Sequence, residues 1–113
     1  MDFDLMNRRF KMIFTEEQIS RIKLVMRNDW ARKTIVVDVH GLTCKEAERF
    51  INNIINVTRA SCIVEVIHGY RHGVSIKNML SKTFKNPRVL LKVTEGANLG
   101  VTYLVTEGVF CVA

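Results

Sequence analysis

Thr34-Ile35-Val36-Val37-Asp38-Val39-His40-Gly41 is the stretch on which the fold turns. Its β-branched run suits a buried strand, where stiff side chains pack well on a pleated surface. Gly41 breaks the run. Thr43 and Glu46 follow at capping-box spacing and open a helix whose apolar positions are Ala47, Phe50, Ile51, Ile54 and Ile55. Cys62-Ile63-Val64-Glu65-Val66-Ile67 then reads as a second apolar strand, ending at His68-Gly69. A strand–helix–strand unit implies a right-handed crossover, so these two strands are expected to run parallel.

Downstream, a loop from His68 to Gly73 leads into a third helical pattern with Ile76, Met79, Leu80, Thr83 and Phe84 on its apolar face. Lys77, Asn78, Ser81, Lys82 and Lys85 fall on the other side, and Asn86-Pro87 stops the helix. Residues 89–93 and 101–105 read as strands joined by the turn-forming Glu95-Gly96-Ala97-Asn98-Leu99-Gly100, hence an antiparallel hairpin. Upstream, Thr15 and Gln18 have capping-box spacing. A helix is expected from about Glu16 to Trp30, with Ile19, Ile22, Met26 and Trp30 along one side. The fold class is therefore α/β, an α+β two-layer sandwich. Its order is β-α-β-α-β-β, a four-stranded mixed sheet with two helices packed on it. Residues 1–33 form an N-terminal helical extension and 34–113 the domain itself.

Composition agrees with one globular unit. The chain has 113 residues, 48% hydrophobic and 25% charged, which is neither a disordered nor a membrane composition. No window approaches the roughly 20 apolar residues that a spanning helix needs. Asp2, Asp4, Arg8, Arg9 and Lys11 are not the opening of a secretory signal. Cys44, Cys62 and Cys111 are odd in number and lack a C-x-x-C pair, which fits reduced thiols in a cytoplasm. Cys44 and Cys62 read as small core or cap residues, and Trp30 and the methionines as packing.

Charge narrows the partners. Seventeen Lys+Arg against eleven Asp+Glu give +6. Residues 1–33 mix 8 basic with 5 acidic side chains. From Val66 to Thr94 no acid occurs, while Arg71, Lys77, Lys82, Lys85, Arg88 and Lys92 do. An acid-free basic stretch suits a polyanion, since each Lys or Arg placed on a phosphate releases a condensed counterion. It also suits a plain solvated face. Location decides.

In open α/β sheets, ligands bind beyond the carboxyl ends of the parallel strands. Both ends here carry His-Gly, His40-Gly41 and His68-Gly69. Neighbouring strands lie about 5 Å apart, so both imidazoles are expected at one rim. Asp38 and His40 share a strand face, which lets the carboxylate fix the imidazole's tautomer. Gly41 and Gly69 permit tight backbone there, and helix N-termini beyond them offer N–H groups to an anion. In the second loop Arg71 can grip a phosphate bidentately and Tyr70 can stack on a base, with His72 and Gly73 completing the approach to the helix. Lys77 and Lys82 extend the same rim. The blander readings are a turn with a satisfied imidazole at each His-Gly, and Asp38 capping a backbone N–H. No metal site is expected, because the ligand spacing is missing.

Val37-Asp38-Val39-His40-Gly41-Leu42 with Glu46-Ala47 resembles the "LDLHG…EA" opening of the Smr (small MutS-related) domain. Ile67-His68-Gly69-Tyr70-Arg71-His72-Gly73, followed by Lys77-Asn78-Met79-Leu80, looks like that family's "HGxG" loop and helix. Asn98-Leu99-Gly100-Val101-Thr102-Tyr103-Leu104 is similar to its closing "GgtGvt" strand. The match runs over about 34–106. It implies a fold like the C-terminal domain of bacterial translation initiation factor three, nucleic-acid binding, and endonuclease activity on DNA or RNA, including messages on stalled ribosomes. The family's motif residues carry over to Asp38, His40, His68 and Gly69. Where the family usually has a second loop glycine this chain has Arg71, with Gly73 two places later.

Two functions follow as expectations. One is an endonuclease in which His40, oriented by Asp38, is the base and His68 the acid or a phosphate contact, with the two roles exchangeable. RNA brings its own nucleophile, the 2′-OH, and needs no cofactor. DNA would call for an activated water and a divalent metal, with Asp38 as the hard ligand. The other is a module that binds RNA, the ribosome or branched DNA through Gly41, Gly69, Tyr70, Arg71, His72, Gly73, Lys77 and Lys82 without turnover. The N-terminal segment can fold over the sheet, pair with its twin in a homodimer, or serve as a protein contact.

Overall fold

The capping boxes set the helix starts. Thr15 accepts the Gln18 N–H at 3.2 Å while the Gln18 side chain accepts the Thr15 N–H at 3.0 Å. Thr43 and Glu46 do the same at 3.1 and 3.0 Å. A computed structural model describes residues 3–27, 32–69, 74–94 and 100–108. The elements are α1 (Phe3–Ile13), α2 (Glu16–Ser20), β1 (Ile22–Arg27), β2 (Arg32–Asp38), α3 (Cys44–Val57), β3 (Cys62–Ile67), α4 (Val74–Lys82), β4 (Val89–Val93) and β5 (Val101–Thr106).

The strands form one mixed sheet in the order β1-β2-β3-β5-β4. β2 and β3 pair in parallel as expected, and β4 and β5 are antiparallel. From the sheet the hydrophobic cluster takes alternate residues: Ile35, Val37 and Val39, then Cys62, Val64 and Val66, and Leu104. From the helices it takes Met6 and Phe10 of α1, the whole apolar stripe of α3, and Ile76, Met79 and Leu80 of α4. The intervening Thr34, Val36, Ile63 and Glu65 are buried on the opposite face, outside that cluster. This is the two-layer sandwich, helices on one side of a sheet. No helix among the described residues is long and apolar enough to cross a membrane.

The sheet has five strands rather than four, because the expected helix 16–30 ends at Ser20. Ile22-Lys23-Leu24-Val25-Met26-Arg27 is a strand, antiparallel to β2, with Ile22 opposite Val37 and Leu24 opposite Ile35. The run satisfies both templates: Ile19, Ile22 and Met26 at helical spacing, Ile22, Leu24 and Met26 at period two. Pairing with β2 decides for the second, since it satisfies the backbone and turns Ile22 and Leu24 to the core. The boundary expected at 33/34 thus falls inside the β1–β2 pairing. α1 packs on α3 through Phe14, which lies 5.6 Å from Phe10 and edge-on to Phe50 at 5.3 Å. Such aromatic pairs are worth about 0.5–1.5 kcal/mol each beyond area burial.

Candidate functional site

β2 and β3 end together. Asp38 stands opposite Ile67, and the Val39 N–H donates to the Ile67 carbonyl at 2.9 Å. Each chain then turns through a glycine of positive φ, Gly41 at 81° and Gly69 at 75°. A Cβ at either would meet nothing within 4 Å, so glycine is favoured there by backbone conformation alone.

At the first turn His40 donates from Nδ1 to Asp38 Oδ1 at 2.5 Å, and its backbone N–H donates to the same oxygen at 3.0 Å. Asp38 is therefore both the cap and the orienting carboxylate. The His40 side chain is 70% exposed and that of Asp38 37%. With Nδ1–H engaged, the Nε2 lone pair faces solvent, the tautomer a general base requires. Arg21 braces the turn from behind. Its Nη1 donates to the carbonyls of Asp38 (3.1 Å) and His40 (3.0 Å), and its Nε to Glu17 at 2.6 Å.

The second histidine goes elsewhere. In a parallel pair, residues in register point the same way and faces alternate. Asp38 shares its face with Ile67, so His68 falls on the face of Val39, toward the helices. His68 is 1% exposed. Its Nδ1 lies 2.7 Å from the Gly69 carbonyl, which can only accept, so Nδ1 carries the proton. Nε2 lies 2.9 Å from Thr102 Oγ1 and accepts its hydroxyl proton. Burial, foremost, holds this imidazole below its ordinary pKa, with the charge of Lys77 adding and the Gly69 bond opposing. Asp38 and His40 are brought together; His68 is not brought to them.

At the α3 N-terminus, expected to face an anion, the capping box takes the Glu46 N–H. It also leaves a carboxylate there, held below its usual range first by the Thr43 N–H, then by the Thr43 side chain, with the charge of Arg21 adding. The basic stretch is also thinner than its sequence. Arg88 donates to the carbonyls of Glu107, Ile55, Thr58 and Ala60. Lys92 donates to the Phe84 carbonyl at 2.6 Å and sits over that ring. Lys82 and Lys85 are exposed and Lys77 is half-buried. Tyr70, Arg71, His72 and Gly73 lie outside the described residues, as do Trp30 and Cys111.

Sequence reasoning missed Arg21, because the helix expected through it hid its position at a strand end. It also missed Thr102, whose inward place follows from alternation with Leu104. Compared with protein-family models, curated proteins and solved structures, the chain matches none.

Proposed function

We propose that this chain is a nucleic-acid-binding domain, related to the Smr domains it resembles, that cuts RNA at the Asp38–His40 pair. The observation that supports it most is the exposed imidazole with Nδ1 tied to a carboxylate and Nε2 open. Nε2 takes the proton of a 2′-OH, the oxygen attacks the adjacent phosphorus, and the P–O5′ bond breaks to leave a 2′,3′-cyclic phosphate. The leaving oxygen takes its proton from solvent, since His68 is interior. Lys77, Lys82 and Lys85 hold the strand. This route uses no cofactor; cutting DNA would need a divalent metal, with Asp38 as a ligand. The ribosome is a candidate source of the RNA, and a cytoplasmic location goes with the free thiols of Cys44 and Cys62.

The test is end-labelled RNA incubated with pure protein, with and without EDTA. Expected are fragments with cyclic phosphate ends, insensitivity to EDTA, and a loss of about 10²–10⁴-fold in His40→Ala. Asp38→Asn should slow cutting while leaving retention intact. If His40→Ala cuts as fast as the wild type, the proposal fails. The burial of His68, which leaves one imidazole where two were expected, favours a second reading, binding without turnover. Retention of RNA with no product would establish it.

A further inference from the structure

Beside the Asp38–His40 turn lies a cavity of about 210 Å³ between α2 and the first three turns of α3. It begins where the dyad ends. Leu42, two residues past His40, forms part of its wall, and so does Arg21, whose guanidinium binds the carbonyls of Asp38 and His40. Most of its polar groups are already engaged. Glu17 holds Arg21, Glu46 accepts from Thr43, and Gln18 accepts from Thr15. The guanidinium of Arg49 and the carboxamide of Asn53 remain, with no hydrogen bond among the described residues. They stand four residues apart on α3 and so share one face of it. The buried Phe50 supplies an apolar patch beside them.

The charges decide what such a cavity takes. Arg21 and Arg49 balance Glu17 and Glu46. A phosphate would meet two carboxylates, and a cation would meet two guanidinium groups. A neutral planar group with donors and acceptors on its edges suits both. We propose that this cavity is a nucleobase pocket that selects guanine, placing that base beside the bond the dyad attacks. A guanidinium fork matches the O6 and N7 acceptors of guanine, and a carboxamide oxygen such as that of Asn53 matches its N1–H or N2 donor. Uracil lacks the paired acceptors, cytosine pairs N3 with O2 but has no ring N–H donor to go with them, and adenine offers a donor where guanine has O6. The role beside the scissile bond rests on the proposed RNA cutting; occupancy of the pocket does not.

Two arms separate these. In the first, isotope-labelled full-length protein is titrated with guanosine, adenosine, cytidine and uridine, none carrying a phosphate, and amide shifts are followed. Guanosine should move the signals of Leu42, Arg49, Phe50 and Asn53 and bind at least about tenfold tighter than the others, the discrimination one bidentate pair provides. Arg49→Ala and Asn53→Ala, both at exposed positions, should weaken guanosine alone. In the second, an oligouridylate with one guanosine is offered as substrate, and cutting should concentrate beside that guanosine in the wild type but not in Arg49→Ala. Guanosine binding no better than uridine, or binding unchanged in Arg49→Ala, overturns the pocket. Selective guanosine binding by a protein that leaves all RNA uncut supports the pocket and sinks the nuclease.

Discussion

His40 and His68 end adjacent parallel strands, yet one is open to water and the other sealed, because neighbours offset by one residue face opposite sides of a sheet. The pairing of His-Gly motifs was legible in the sequence, and so was Asp38 beside His40. The direction of His68 was not, because it depends on which residue of β2 stands opposite Ile67, a matter of register. Its partner Thr102 comes from a strand 34 residues on. A neutral buried imidazole links stability to pH. The unfolded chain protonates this histidine near pH 6.5, while the folded chain resists until a lower pH. Its contribution is therefore whole above about pH 6.5. It falls as pH drops from the unfolded value toward the lower folded one. Urea midpoints measured from about pH 8 to pH 5 should decline more steeply for the wild type than for His68→Gln, which removes this proton and leaves the other histidines. Thr102→Val should cost about 1–3 kcal/mol at neutral pH, since Nε2 then loses its donor. Equal slopes for wild type and His68→Gln would show that the side chain does not carry this linkage.

α3 shows how far an element can be read alone. Its start, its stripe and its burial follow from Thr43, Glu46 and the 3.6-residue spacing, all local signals. Its end does not. The last turn holds no basic residue; Thr58 serves the Ile54 carbonyl, and Arg88, just before β4, serves that of Ile55 and those of Thr58 and Ala60 beyond the helix end. A cation at a helix C-terminus also meets the negative end of the dipole. In sequence Arg88 reads as one more member of a basic stretch, and nothing local says that it turns inward. Arg88→Met keeps the aliphatic stem and removes the donors. It should lower the unfolding free energy by about 1.5–3 kcal/mol in urea titration, the range for bonds to a charged group. Arg88→Lys should recover only part, because one ammonium cannot span carbonyls that a planar fork reaches together. The N-terminal segment teaches the converse. Ile22 to Arg27 satisfies two periods at once, and only the partner strand chooses between them.

At the scale of the whole molecule, net charge and its distribution part company. The sequence gives +6, and the stretch from Val66 to Thr94 alone holds six cations. Folding withdraws Arg88 and Lys92 into backbone contacts, which leaves Lys77, Lys82 and Lys85 of the described members for the polyanion proposed above. Counting residues therefore overstates the electrostatic footprint, and the salt dependence of binding measures the difference. For single-stranded nucleic acid, the slope of log affinity against log salt changes by about 0.7 for each phosphate neutralised. Lys82→Ala and Lys85→Ala should each flatten the slope by about that amount, and the double variant by about twice as much, uniformly across sequences. Lys92→Ala should leave the slope unchanged and lower thermal stability instead, because its ammonium serves the Phe84 carbonyl. Fluorescence anisotropy of a labelled oligonucleotide between about 50 and 200 mM salt distinguishes these variants. A slope that responds to Lys92 as strongly as to Lys82 would mean that the strand crosses the sheet edge at β4 rather than the exposed side of α4, and the proposed rim would have to be redrawn around that edge.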